Sequence, residues 1–396
     1  MTIVQSICLL SQVFSLLVCL SVLLLNPLWL LFNSRRKPPV PIPELTDAPS
    51  VSIITVVRNA EALIEAKVAN TTSLTFPGEQ NEILICSDAS TDATLEKVMA
   101  CKDDRVRIIA SEVQQGKNRC LNQAIAASRG KILVFTDADA LLQKDTLIRL
   151  LRHFADPAVG GVCGQRLITE KNHQLQSGQS DYIRFDSLIK MLESRQGSIT
   201  SNDGKLFAIR RSLAPEIDPA VTDDFYLCLS VLEQRQKFVF EPEALAYIKL
   251  PSRSPEHEVA RRRRIVTRSL HGLFLRRRLL NPLSFGDLAI RLLVNKLLRR
   301  LLPFFLLLLF FSSLGTAPLH PLFLLMFLAQ VGLYLLAFCG HSCGLRVVRY
   351  LPGGERIVSA LYYFCLGNLG SLLGVLDYLR GKRVDRWEPR KQDALR

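Results

Sequence analysis

KILVFTDADALL, residues 131–142, sets an apolar run (Ile132, Leu133, Val134, Phe135) against two carboxylates, Asp137 and Asp139, one alanine apart, before apolar residues resume. A short run rich in β-branched and aromatic residues reads as a strand. The acids at its exit can turn the chain, because Asp hydrogen-bonds its own backbone in loops. They can equally be paired oxygen ligands for a divalent cation, and this stretch alone leaves both readings open.

Working outward, the same pattern recurs. Runs at Val51–Val57, Glu82–Cys86, Arg105–Ile109 and Val159–Cys163 alternate with stretches of helical length at Thr91–Cys101 and Asn118–Ser128. Strands alternating with helices predict βαβ units and a mostly parallel sheet flanked by helices, an α/β fold. Ligands of such sheets bind beyond the carboxyl ends of the strands. Asp88, in ILICSDAS, leaves one strand there as Asp137 leaves another. The bland reading of ILICSDAS is a turn, with Ser90 capping the helix that follows. Two acidic strand ends on one edge would repel unless something positive lay between them. The residues after the first strand read VRNAEAL rather than GxGxxG, and there is no GxxxxGK[ST]. With no glycine cradle of that kind, a diphosphate needs a cation such as Mg²⁺, held by one or two carboxylates plus the phosphates themselves.

The rest of the chain is apolar in blocks. Residues 1–34 carry no charge and precede Arg35-Arg36-Lys37, which predicts an uncleaved anchor, since roughly 20 apolar residues span a bilayer. A Pro-rich linker fills 35–49. Residues 50–280 have globular composition, and LSFGDLAIRLLVNKLLRRLL suggests an interfacial amphipathic helix over 281–300 or the start of the next span. A charge-free stretch broken by GTAPLHP predicts a transmembrane hairpin at 301–345. The basic loop and tail of 346–396 then ask for the cytoplasm, so Ile357–Leu376 is expected to be re-entrant or a third C-terminal membrane segment. The net charge of +14 gathers at residues 261–264, 276–278 and 299–300, beside these segments. That placement suits membrane lipids and a phosphorylated substrate, with no nucleic acid expected. The ten cysteines are scattered and read as reduced thiols, Cys339-Gly-His-Ser-Cys343 being a weak metal-like exception.

Five motifs in order, SIITVVRNAEAL, ICSDASTDAT, QQGKNRCLNQAIAASRGKILVFTDADALL, SNDGKLFAIRR and TDDFYLCLSVLEQRQKFVFEPEALA, resemble those of the family 2 glycosyltransferases. The membrane segments resemble those of the members related to cellulose, chitin and hyaluronan synthases. The resemblance covers Ser50 to about Leu275. It implies a GT-A fold between N- and C-terminal transmembrane helices, and a hexosyltransferase-type enzyme. It implies that Asp88 contacts the nucleotide base and Lys117 lines the nucleotide pocket. Asp137 and Asp139 would be the DxD pair holding a Mg²⁺- or Mn²⁺-bound diphosphate, and Asp224 of Thr222-Asp223-Asp224 the catalytic base. Lys117 could instead be a solvated surface lysine, and Asp223 and Asp224 acids favoured by a helix N-terminus.

Processive members carry QxxRW where this chain has Arg261-x-x-Arg264-Ile265. The arginines can grip a diphosphate, or lie on anionic lipid, but the missing Trp puts long-chain synthesis in doubt. The expectation is an inverting transfer from a nucleotide-diphosphate sugar, a UDP-sugar, to a glycan or lipid-linked acceptor in polysaccharide or cell-envelope glycan synthesis. It would take place on the cytoplasmic face of a multi-pass protein of the cell (inner) membrane. The alternatives are transfer of one sugar to a polyprenyl-phosphate or ceramide-like lipid, and a non-catalytic, membrane-anchored nucleotide-sugar binding protein.

Overall fold

The computed structural model describes residues 2–35, 47–169, 174–249, 254–342 and 354–385. Arg36, Lys37, most of the Pro-rich linker, Arg346 and Arg349, Cys343 and Arg386 lie outside the described residues.

Eight strands form one sheet: β1 (Val51–Val57), β2 (Asn81–Asp88), β3 (Val106–Ser111), β4 (Ile132–Thr136), β5 (Ala140–Leu142), β6 (Val159–Ile168), β7 (Leu206–Arg210) and β8 (Lys237–Ile248). Their order is β3-β2-β1-β4-β7-β6-β8-β5. β1, β2, β3 and β4 run parallel, whereas β7 is antiparallel to both β4 and β6. β1 reads VSIITVV because it is buried on both faces. Ile53 and Val57 point into one core and Ile54 and Val56 into the other, as a period of two dictates.

On one face lie α3 (Ile64–Thr72), α4 (Thr94–Met99) and α6 (Thr146–Leu151). On the other lie α5 (Lys117–Ala127) and α8 (Asp223–Glu233). Phe135 and Phe207, partners across β4 and β7, stack with ring centroids 4.7 Å apart. The chain passes from β1 outward to β2 and β3 and then returns to β4 on the other side of β1. The switch point therefore opens between the exits of β1 and β4, where a ligand crevice is expected.

The helix expected over Thr91–Cys101 is only α4, and Ser90 does not cap it. Its would-be first turn is claimed by the loop after β1: Thr91 N donates to Asn59 Oδ1 at 2.8 Å and Ala93 N to Glu61 Oε2 at 3.2 Å. Ser90 Oγ accepts instead from Asn59 N, 3.1 Å away. Asn59 and Ala89, the turns leaving β1 and β2, sit at φ 46° and 51°. Side chains other than glycine adopt this region at a cost, and such strain clusters at functional sites.

Around the sheet run α1 (Ile3–Leu20), α2 (Asn26–Arg35), α7 (Gln174–Arg195), α9 (Pro255–Leu275), α10 (Pro282–Leu292), α11 (Arg299–Thr316), α12 (Pro321–Ser342) and α13 (Gly354–Leu379). Among the described residues four helical stretches are long and apolar enough to cross a membrane: Ile3–Arg35, Pro282–Leu319, Pro321–Phe338 and Arg356–Leu379. α1 packs on α11 through Phe14 and Phe305 and a hydrogen bond from Thr316 to Gln12. The stretch read as an interfacial helix or the start of the next span is kinked at Gly286, φ 54°, and continues through a π-helical turn at Leu293–Leu298 into α11. Its polar residues face the sheet domain: Arg291 donates to Ser198 O and Asn295 to Glu193, both at 2.6 Å. Eight cysteines, Cys8, Cys19, Cys86, Cys101, Cys120, Cys163, Cys228 and Cys365, are free thiols.

Gly130 marks the tightest approach at the entry to β4, where an added Cβ would lie 2.5 Å from Ser52 N and 2.6 Å from Val51 C. Backbone atoms cannot swing aside. Gly130→Ala should therefore lower stability by about 1–3 kcal/mol, in the range of overpacking, read as a drop of several degrees in the melting temperature of detergent-purified protein; an unchanged melting curve would refute this close contact.

Candidate functional site

The site is assembled from strand ends and helix starts at the switch point. Asp88, the last residue of β2, is fully buried, with Oδ1 accepting from Gln115 N at 2.7 Å and Oδ2 from Gly116 N at 3.0 Å. It thereby fixes the turn into α5. Gly116 occupies φ 93°, which glycine adopts without strain, and Lys117 begins the helix.

From there the Lys117 ammonium reaches Asp137 Oδ1 at 3.1 Å and Asp223 Oδ2 at 2.9 Å. Burial alone would lower its proton affinity, but Asp137 and Asp223 together outweigh burial and raise it. A second lysine, Lys205, bridges Asp137 Oδ2 at 2.8 Å and Asp139 Oδ1 at 2.7 Å. Lys67 supports the turn from beneath, donating to Thr136 Oγ1 at 2.8 Å and Ala140 O at 2.6 Å. Burial brings Lys67 down to about 7, against the opposing pull of Asp137 and Asp139.

Asp223 and Asp224 open α8, where carboxylates suit the positive helix end. Asp224 Oδ1 accepts from Phe225 N at 2.7 Å, and its Oδ2 lies 3.2 Å from the position of a Cβ on Gly204. Gly204 directly precedes Lys205, so this acid and the DxD turn share one cleft. Burial first, and the neighbouring Asp223 second, push Asp224 from 3.8 up to about 7. A carboxylate poised there can hold or take a proton at neutral pH.

The two arginines expected to grip a phosphate part company. Arg261 forms a two-pronged pair with the buried Glu258 at 2.8 and 2.9 Å. Arg264 lies close enough to Asp223 and Asp137 to feel both charges; burial lowers its proton affinity, Arg268 and Arg261 add to that, and the two acids oppose it. Arg268, which sequence reasoning passed over, donates to Val221 O at 2.9 Å and Pro219 O at 3.2 Å and so holds the loop leading to Asp223.

Could this site hold a divalent cation? Asp137 and Asp139 are the right donors for Mg²⁺ or Mn²⁺, one residue apart on a tight turn. Among the described residues no group of three His, Cys, Asp or Glu side chains is placed to hold a metal. Two carboxylates completed by substrate phosphate oxygens are the set such ions commonly take, so the residues fit.

Lys67 and Lys205 were also missed. The signal for Lys67 is its place in the i, i+3, i+4, i+7 stripe Ile64, Lys67, Val68, Thr71, where a core-facing lysine must have partners. Lys205 sits in SNDGKLFAIRR, but only the β4–β7 register shows what it faces.

For Asp224 the sign is set by a raised carboxyl. The folded protein keeps a proton that the unfolded chain releases, so this group's contribution to stability falls as pH rises from about 4 to about 7. Asp224→Asn should lose about 10²- to 10⁴-fold in turnover and yet be at least as stable as wild type at pH 8. In the wild type kcat/KM should rise with pH through about 7. Retained turnover in the variant would remove Asp224 from this role.

Residues 52–218 match the model of glycosyl transferase family 2. Poly-β-1,6-N-acetyl-D-glucosamine synthase of Staphylococcus aureus is 23% identical over 227 residues, 56% of this chain and 54% of that protein. β-Monoglucosyldiacylglycerol synthase of a Nostoc species is 28% identical over 188 residues, 45% of this chain and 40% of that one. The chain thus spans about half the length of the curated relatives it matches. The mannosyltransferase PcManGT from Pyrobaculum calidifontis, solved with GDP-Man and Mn²⁺, superposes with a TM-score of 0.67 at 20% identity over 96% of this chain and all of that one, a likeness of fold. The segment from the first strand to the loop before α8 therefore carries the likeness to glycosyl transferase family 2, on a GT-A sheet, and the chain is similar to relatives named for polysaccharide and for glycolipid synthesis.

Proposed function

We propose that the protein is a multi-pass membrane enzyme that transfers a hexose, with inversion, from a nucleotide-diphosphate sugar to a lipid-linked acceptor at the cytosolic face. The carrying observation is a groove of about 650 Å³ between α9 and α13. Val259, Ala260, Leu366, Leu369 and Leu373 give it apolar walls, and Arg264 lines it too. Arg264 is also the arginine that feels Asp223 and Asp137. A lipid tail in the groove would carry its head group past Arg264 toward Asp224. Arg261, committed to Glu258, and Ile265 offer no flat aromatic platform for a growing glycan, which favours the lipid-linked acceptor over a long polysaccharide.

The division of labour follows from charge. Asp224 takes the proton of the acceptor hydroxyl. Lys117 and Arg264 neutralise the departing diphosphate, and Asp88 keeps Lys117 in place by fixing Gly116. Asp137 and Asp139 would hold Mg²⁺ or Mn²⁺, which when bound supplies further positive charge to the diphosphate oxygens. A non-catalytic sensor would have no use for a buried carboxylate held near 7 beside a phosphate site.

Purified membranes incubated with a panel of UDP- and GDP-sugars, Mg²⁺ or Mn²⁺, and a polyprenyl phosphate or diacylglycerol acceptor should consume one donor and yield a glycolipid bearing a single sugar. A ladder of products favours polysaccharide synthesis instead, and no donor consumption defeats the proposal. Leu369→Arg, which puts a charge in the groove, should raise KM for the lipid acceptor roughly tenfold or more, the equivalent of about 1.4 kcal/mol, with donor binding unchanged. An unaltered KM would take the groove out of acceptor binding.

A further inference from the structure

The DxD pair is already bridged by a cation of the protein's own. Lys205 Nζ lies 2.7–2.8 Å from one oxygen of each carboxylate, within the donor pair that would hold a divalent ion. The placement is built into the sheet. β4 and β7 are antiparallel with Thr136 opposite Leu206, so the next position on each strand sets Asp137 across from Lys205. The Lys205 backbone is pinned as well: its N–H donates to Asp203 Oδ1 at 3.1 Å, and Asp203 is tied by Arg166 at 3.3 Å. Only the four-carbon stem is left to move, and an ammonium on such a stem can be re-aimed.

We infer that Lys205 is a tethered counter-ion that holds Asp137 and Asp139 together in the donor-free enzyme and must leave them before a divalent cation binds. A diphosphate gives the released ammonium a new partner within the same cleft. Cation and nucleotide diphosphate therefore bind with positive coupling, each favouring the Lys205-released state. The cation alone binds weakly, because its competent state is only fractionally populated. This rests on the reading of Asp137 and Asp139 as cation ligands.

The test is Mn²⁺ binding, followed by electron paramagnetic resonance of the free ion, to full-length protein in detergent with and without UDP. Wild type should bind Mn²⁺ weakly alone and about tenfold or more tightly with UDP. Lys205→Met should bind Mn²⁺ about tenfold or more tightly than wild type without nucleotide, and its coupling to UDP should shrink. Lys205→Arg, which keeps the charge, should stay weak.

Thermal unfolding guards against a misfolded variant. Lys205→Met should melt lower than wild type without metal, and saturating Mn²⁺ should raise its melting temperature by more than it raises that of wild type. Equal Mn²⁺ affinities in wild type and Lys205→Met, weaker binding by the variant, or no binding by it at millimolar Mn²⁺ would overturn the inference. Tighter binding by Lys205→Met, together with wild-type protein that transfers no sugar from any donor, would instead leave Lys205 in this role and defeat the proposed function.

Discussion

Five aspartates meet at one edge of the sheet, and lysines make that possible. Asp88 accepts hydrogen bonds from backbone amides, Asp137 and Asp223 share Lys117, Asp137 and Asp139 share Lys205, and Asp224 has one backbone donor, with burial and its neighbour Asp223 acting on it. Like charges crowded in a part-buried cleft repel unless each has a counter-ion, a hydrogen-bond donor or a proton. The carboxyl with the least compensation is the one pushed toward neutrality. The five acids are therefore compensated in different ways by their surroundings, although every one is an aspartate.

The same electrostatics tie the catalytic sheet to the apolar helices. α9 carries four successive arginines, and the helix directs each differently. Arg261 and Arg262 converge on the buried Glu258, Arg263 pairs with Asp377 of α13 at 2.6 Å, and Arg264 faces the acids of the site. One turn on, Arg268 holds the carbonyls before Asp223. A shift of α9 would move the loop carrying Asp223 and Asp224 together with one wall of the groove. The groove and Asp224 are thus linked through one helix.

Much of this was legible in the chain and some could not be. The parallel half of the sheet announced itself through β1 and β4, whose unbroken apolar runs match strands buried on both faces. Asp88 and Asp137 stood out as strand exits because the strands ended where the apolar residues did. The turn after β2 was misjudged, since nothing local says that Asn59 and Glu61, some thirty residues earlier, take the amides of Thr91 and Ala93. Lys205 was hidden for a related reason. Its partners lie about seventy residues away and are brought close only by the antiparallel step from β4 to β7, which breaks the βαβ pattern that the first half of the domain leads one to expect.

The disposition of α13 bears on how the chain meets a bilayer. Its hydropathy allows a span, yet from Tyr363 to Asp377, about 20 Å at 1.5 Å per residue, it runs beside α9. Tyr363 Oη donates to Glu258 at 2.9 Å, Asp377 pairs with Arg263, and Thr267 Oγ1 donates to Gly374 O at 3.0 Å. Gly370 and Gly374 let the helices come this close, since a Cβ at either would lie 2.5–2.7 Å from an atom of α9. A helix crossing a hydrocarbon core about 30 Å thick could not keep an arginine-rich partner along so much of its length, because charged side chains at that depth are costly. The pairing with α9 thus sets α13 apart from α12, whose described side chains carry no such ion pairs, and it fixes the groove between α9 and α13 through Arg263, Thr267 and Gly374.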